Sequence, residues 1–341
     1  MVMLDLRPVG YVVGLLVAVL GLTMSLPLLV DLAEGRGHWP IFAESAVITV
    51  LTGGLIALSC ANGVRQGLSI QQTFLLTTGV WLALPVFGAL PFFLGATEAR
   101  FVDAFFEAMS GLTTTGSTVF SGLDELPKGL LLWRGILQWL GGIGIVVVAM
   151  VFLPELRVGG MQIFRTESFD TFGKILPRAT EIASRISVIY VSLTMACAVA
   201  YVLAGMGAFD ATVHAMTTIA TGGFSNYDSS FAAFGPGAAY VAAVFMVLAA
   251  LPFVRFVQLS AGTARPLLQD TQIHAFLGTA IIIVILIVGW NISQQSTINE
   301  KAIRVAIFNA VSLMTGTGYA NADYMQWGCF AMAVLFFTGL I

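Results

Sequence analysis

Long apolar runs separated by short polar breaks set the frame of this chain. A membrane-crossing helix takes about 20 mostly apolar residues. Runs of that kind lie near residues 9–32, 41–60, 72–95, 129–153, 181–206, 237–260 and 272–292, and an eighth starts near 325 and is still apolar at Ile341. Three intervals, 95–129, 206–237 and 292–325, are too short and too polar to cross. Each predicts an amphipathic helix of about ten residues followed by a Thr/Gly loop.

Those intervals repeat one another. Aligned on a closing glycine, the first copy runs Asp103 to Gly116, the second Asp210 to Gly223 and the third Val305 to Gly318. The second keeps the Asp, the Ala and the Ala-Met pair of the first. The third keeps Phe308, Ala310, Ser312, Thr315 and Thr317. Beyond the glycine, Phe224 to Asp228 matches Tyr319 to Asp323. Self-similarity at spacings of 107 and 95 residues marks a repeated unit. The unit is helix, short helix, loop, helix, and it recurs at 72–153, 181–260 and 272–341. The organisation read from this is an N-terminal helix pair (1–65), a first repeat (66–154), a linker (155–179), a second repeat (180–268) and an incomplete third (269–341).

Composition agrees with this pattern. Of 341 residues 58% are hydrophobic and 10% charged, against about 25% charged in soluble domains, and the mean hydropathy is +0.92. The fold class is therefore an all-α polytopic membrane protein, with its first apolar run retained and not cleaved. A net charge of −3 without a basic block gives no reason to expect nucleic acid. Cys60, Cys197 and Cys329 lie in or beside apolar runs without metal-ligand spacing and read as small hydrophobes. No nucleophile–base pair or metal cluster suggests an enzyme.

Orientation follows from Lys and Arg near the helix ends. With the N-terminus inside, the cytoplasmic side collects Arg7, Arg65, Arg157, Arg165, Lys174, Arg178, Arg185, Arg255 and Arg265. The outer side collects Arg36, Arg100, Lys128, Arg134, Lys301 and Arg304, and all three loops come in from outside. The 154–178 connection, with Gly159-Gly160 and Pro177 as breaks and room for a short surface helix, reads either as an ordinary positive-inside loop or as a docking surface for a cytoplasmic partner.

Non-helical backbone at membrane depth is tolerated where it is buried or lines a watery cavity. A Thr/Gly loop offers backbone carbonyls, and rings of carbonyls can replace the water around an alkali cation. Glycine accepts the dihedrals that turn consecutive carbonyls one way, and the short helix before each loop aims its partly negative C-terminus at the cavity. The carbonyls of Thr114, Thr115, Gly116, Thr221, Gly222, Gly223, Gly316, Thr317 and Gly318 are the expected metal ligands. The bland alternative is small residues packing helices together. Asp228 and Asp323 read either as an outer mouth that concentrates cations or as turn and cap residues. Glu107, His214 and Asn309 share one position and are expected to hold the loops through buried hydrogen bonds, with titration of His214 a further option. Gly141-Gly142-Ile143-Gly144 invites close packing, and Pro252 predicts a kink. Arg134 and Arg255 are either functional intramembrane charges or charges that snorkel to the interface.

The repeats, the two leading helices and the stretches Gln138-Trp139-Leu140-Gly141-Gly142-Ile143-Gly144 and Val158-Gly159-Gly160-Met161-Gln162 resemble the TrkH-type subunits of bacterial Trk potassium uptake systems, in the Trk/Ktr/HKT superfamily. The resemblance covers essentially the whole chain. It implies four repeats around one pseudo-fourfold pore, each with a selectivity-filter loop, and K+ as the transported ion without an organic cofactor. It also implies a homodimer in the inner membrane, each protomer with its own pore, regulated by a cytoplasmic TrkA-type ring of nucleotide-binding subunits. The filter glycines carry over to Gly116, Gly223 and Gly318, and glycine at the first position goes with potassium in related proteins. Two departures stand out. The third copy reads Thr315-Gly316-Thr317 where an unbroken threonine run is expected, and a gating loop and fourth repeat are expected after Ile341. Two rivals are a secondary transporter of another cation or small solute, and a membrane scaffold that transports nothing.

Overall fold

The computed structural model describes residues 5–35, 37–63, 68–152, 179–295 and 299–340. The 154–178 connection, with its breaks and its expected surface helix, lies outside the described residues, as do Arg36 and Arg65. The described residues form helices and loops, grouped in two compact units: Met1–Thr113 with Ser117–Leu137, and Thr114–Gly116 with Gln138–Ile341.

In the first unit, helices Arg7–Thr23 and Trp39–Cys60 cross at glycines. A Cβ on Gly14 would sit 2.7 Å from Gly53 O, and one on Gly53 would sit 2.7 Å from Gly14 O. Such small-residue contacts let membrane helices approach backbone to backbone, where lipid supplies no hydrophobic drive. Helix Ile70–Gly88 starts with a reciprocal capping box, Gln72 N–H on Ser69 Oγ and Ser69 N–H on Gln72 Oε1. The first short helix, Phe101–Leu112, follows.

The second unit holds helices Ala179–Leu203, Ala208–Ile219, Pro236–Ala250, Phe253–Ser260, Thr271–Gln295, Glu300–Met314 and Cys329–Thr338. Its core gathers Tyr190, Tyr201, Phe231, Phe308 and Tyr319, all but fully buried. Helix Lys128–Phe152 starts in the first unit's sequence and runs on into the second's.

Among the described residues, five helices are long and apolar enough to cross a membrane: Arg7–Glu34, Trp39–Cys60, Gln71–Leu94, Ala183–Leu203 and Thr271–Trp290. Their outer faces carry Leu22, Leu55, Val188, Leu203 and Ile285, more than half exposed, as expected for side chains that meet lipid. The chain is a multi-pass membrane protein. The apolar run 237–260 is broken where Pro252 predicts a kink. The helix stops at Ala250 and restarts at Phe253, turned by 89°. Pro252 lacks an N–H and forces the residue before it out of helical geometry, and Leu251 is extended at φ −72°, ψ 148°.

Candidate functional site

The three Thr/Gly loops meet within the second unit. A Cβ added to Gly116 would overlap the carbonyl oxygen of Gly222 and lie 3.7 Å from that of Thr317. A Cβ on Gly223 would overlap the Thr317 carbonyl and lie 3.5 Å from Gly318 C. Carbonyls of the second and third loops therefore press against the glycines of the first and second, leaving no room for a side chain. At Gly316 and Gly318 nothing among the described residues lies within 4 Å of an added Cβ. Thr317 is fully buried, Gly222 is buried and Thr115 is exposed. Thr114 and Thr221 line a cavity of about 130 Å³ together with Gly142, Tyr190 and Phe253.

The backbone repeats more closely than the sequence does. Left-handed φ recurs two residues before each closing glycine and at the glycine itself. The values are Thr114 54° and Gly116 78°, Thr221 49° and Gly223 75°, Gly316 73° and Gly318 82°. Thr115, Gly222 and Thr317, between them, are not left-handed. Alternating hands turn successive carbonyls toward one side of an extended loop, where a regular strand points them alternately to opposite sides. A β-branched residue at positive φ is strained, by about 1–3 kcal/mol, and such strain persists only where surroundings enforce it. The odd Gly316 thus takes the position that threonine holds under strain in the other two copies. The loop N–H groups turn back to the short helices: Gly223 N–H reaches Thr217 O at 3.4 Å and Gly318 N–H reaches Ser312 O at 3.2 Å.

Behind the loops, one helix position carries three different struts. Glu107 accepts from Thr118 Oγ1 at 2.8 Å and from Val119 N–H at 3.1 Å, and its Oε1 takes Arg134 Nε at 2.8 Å. His214 Nδ1 donates to Asp210 O at 2.9 Å, which leaves Nε2, 3.0 Å from Ser225 Oγ, to accept that hydroxyl. The tautomer is assigned from these partners. Asn309 Nδ2 donates to Asn321 Oδ1 at 2.7 Å and to Val305 O at 2.8 Å. The partner lies two residues past the glycine in the first two copies. In the third that position is Ala320, without a hydroxyl, so the strut moves on to Asn321.

Arg134 does not snorkel. It is 1% exposed and bound to a fully buried carboxylate. Arg255 pairs with Asp270 at 2.7 Å and with Gln258 Oε1 at 3.1 Å. Asp323 caps the turn Tyr324–Trp327, accepting from Met325 N–H at 3.1 Å and from Gln326 Nε2 at 2.8 Å. Asp228 is exposed.

Two contributors escaped sequence reasoning. Tyr319, next to the third glycine, places its hydroxyl 2.5 Å from Thr217 Oγ1 and 3.3 Å from Thr218 Oγ1, bracing the second short helix. Gln138, on helix Lys128–Phe152, bonds the second loop. A glutamine inside an apolar helix, at the head of the Gln138–Gly144 stretch, is the signal that pointed to it.

A family model described as "TrkH: Cation transport protein" matches residues 38–341. The chain is 40% identical over 336 residues to "Trk system potassium uptake protein TrkI" of Halomonas elongata, covering 98% of this chain and 68% of that protein. It is 37% identical over 347 residues to "Trk system potassium uptake protein TrkH" of Escherichia coli (strain K12), covering 98% and 70%. The crystal structure of the potassium transporter TrkH from Vibrio parahaemolyticus superposes with a TM-score of 0.87 at 34% identity, over 98% of this chain and 70% of that one.

Proposed function

The chain belongs to the TrkH family of cation transport proteins, and from that premise we propose that it is the ion-translocating subunit of a Trk-type potassium uptake system. A dehydrated K+ sits among the carbonyls of Thr114, Thr115, Gly116, Thr221, Gly222, Gly223, Gly316, Thr317 and Gly318 and moves down its electrochemical gradient, alone or with H+ or Na+. The observation that carries this reading is the meeting of three loops whose backbones alternate hand in the same register. A packing role for the small residues accounts for the close approach, but it needs neither the alternation nor the repeated struts.

The protein acts in the inner membrane as a homodimer, each protomer with its own pore, under a cytoplasmic TrkA-type nucleotide-binding ring. In a strain lacking potassium uptake, the full-length protein is expected to restore growth at low K+ and to take up Rb+ in competition with K+. Normal membrane insertion without rescue would favour a scaffold. Uptake of an organic solute in place of Rb+ would favour a secondary transporter of other substrates.

A further inference from the structure

Gln138 is fully buried in helix Lys128–Phe152, and its carboxamide makes two bonds to one loop. Its Nε2 donates to Gly222 O at 2.6 Å, and its Oε1 accepts from Phe224 N–H at 3.0 Å. The two bonds straddle Gly223, the closing glycine of the second loop. Of the polar groups on the second loop's backbone, these are held by a side chain 84 and 86 residues away in sequence. The same Gly222 carbonyl lies against Gly116 of the first loop, and a Cβ on Gly222 would land on the carboxamide, 2.7 Å from Nε2.

We infer that Gln138 is a positioning residue for ion selectivity, setting where the Gly222 carbonyl and the Gly223 turn stand relative to the first loop. The inference rests on the reading above, that these loops bind K+. A carbonyl has two lone pairs, so a bond from Gln138 fixes the direction of the oxygen without using up its capacity for a cation. An amide supplies a donor and an acceptor on one rigid plane and matches the C=O and N–H that flank Gly223. Methionine has the volume and neither bond. A carboxylate offers two acceptors and sets an oxygen against the Gly222 oxygen. Asparagine keeps the amide one methylene short, so that it cannot reach both groups from the same backbone position.

The test uses the full-length protein in the uptake-deficient strain, reading Rb+ uptake and its inhibition by Na+, with membrane content measured by immunoblot. Gln138→Met is expected to raise KM for Rb+ about tenfold, the value of one hydrogen bond, and to weaken preference for K+ over Na+ by a similar factor. Vmax per molecule should fall much less. Gln138→Glu should do the same more strongly, and Gln138→Asn should fall between Met and wild type. If the Met variant fails to reach the membrane, the Asn variant decides by the same KM and preference readouts. A loss confined to Vmax, with KM and ion preference at wild-type values, would overturn the inference, because a merely structural glutamine predicts that. Wild-type protein that inserts but moves no Rb+ would instead sink the transport reading, and the inference with it.

Discussion

Glu107 and His214 occupy one position in two copies of the same short helix, yet the first ends in a buried ion pair and the second in a neutral relay. Glu107 brings a charge into a site with no exposure, and Arg134 answers it from the returning helix at 2.8 Å. His214 needs no counter-charge, since Asp210 O and Ser225 Oγ satisfy its two nitrogens. Arg134 is the seventh residue of its helix. The seventh residues of the helices starting at Pro236 and Cys329 are Ala242 and Leu335, both apolar. The first copy holds its buried charges as a matched pair. The geometry of the strut is shared by the copies, and its electrostatics are particular to each.

Separating the partners of the first strut gives the largest expected effect. Arg134→Met leaves a buried carboxylate uncompensated, which costs about 3–5 kcal/mol. It should abolish accumulation of folded protein in detergent-extracted membranes. Adding Glu107→Gln should restore most of it, because removing both charges of a buried pair is often close to neutral. A double variant as unstable as the single one would show that Arg134 acts through something other than Glu107.

Next in size is the loop backbone. Gly223→Ala puts a methyl onto the Thr317 carbonyl at a φ of 75°, so uptake should drop by more than tenfold at normal protein level, the backbone strain alone being about 1–3 kcal/mol. Uptake within twofold of wild type would mean that the loops do not meet as described. The neutral strut comes third. His214→Ala removes the bond between the ring and the Ser225 hydroxyl and should cost about 1–3 kcal/mol in thermal stability, less than Arg134→Met. Equal losses would erase the distinction between the two copies.

The smallest effect concerns the odd residue of the third copy. Gly316→Thr copies the first two loops at a φ of 73° and should cost about 1 kcal/mol in stability while leaving K+ uptake in place. Loss of uptake comparable to Gly223→Ala would show that the third loop's glycine is required for more than its dihedral.

Much of this was legible in sequence because its causes are local. Apolar runs of membrane length and a glycine that returns in register are properties of adjacent residues, and the shared position of Glu107, His214 and Asn309 followed from that register. The break at Leu251-Pro252 was visible as a proline, but its 89° extent depends on how the next helix packs. What stayed hidden depends on distant partners. Arg134 had two readings until Glu107, 27 residues away, was seen beside it. Gln138 stood in a motif with no sign that its bonds lie in another repeat. Asp323 likewise had two readings, a charged mouth or a turn cap, and its carboxylate caps the turn Tyr324–Trp327.

The central claim is that carbonyls from the three loops face a common ion. The most direct test is the structure of the full-length protein grown in Rb+, with the ion located by its anomalous scattering. The account predicts Rb+ bonded to carbonyl oxygens of all three loops, beside Gly116, Gly223 and Gly318. Rb+ bound elsewhere in a transport-competent protein, with those carbonyls engaged only by protein groups, would contradict it.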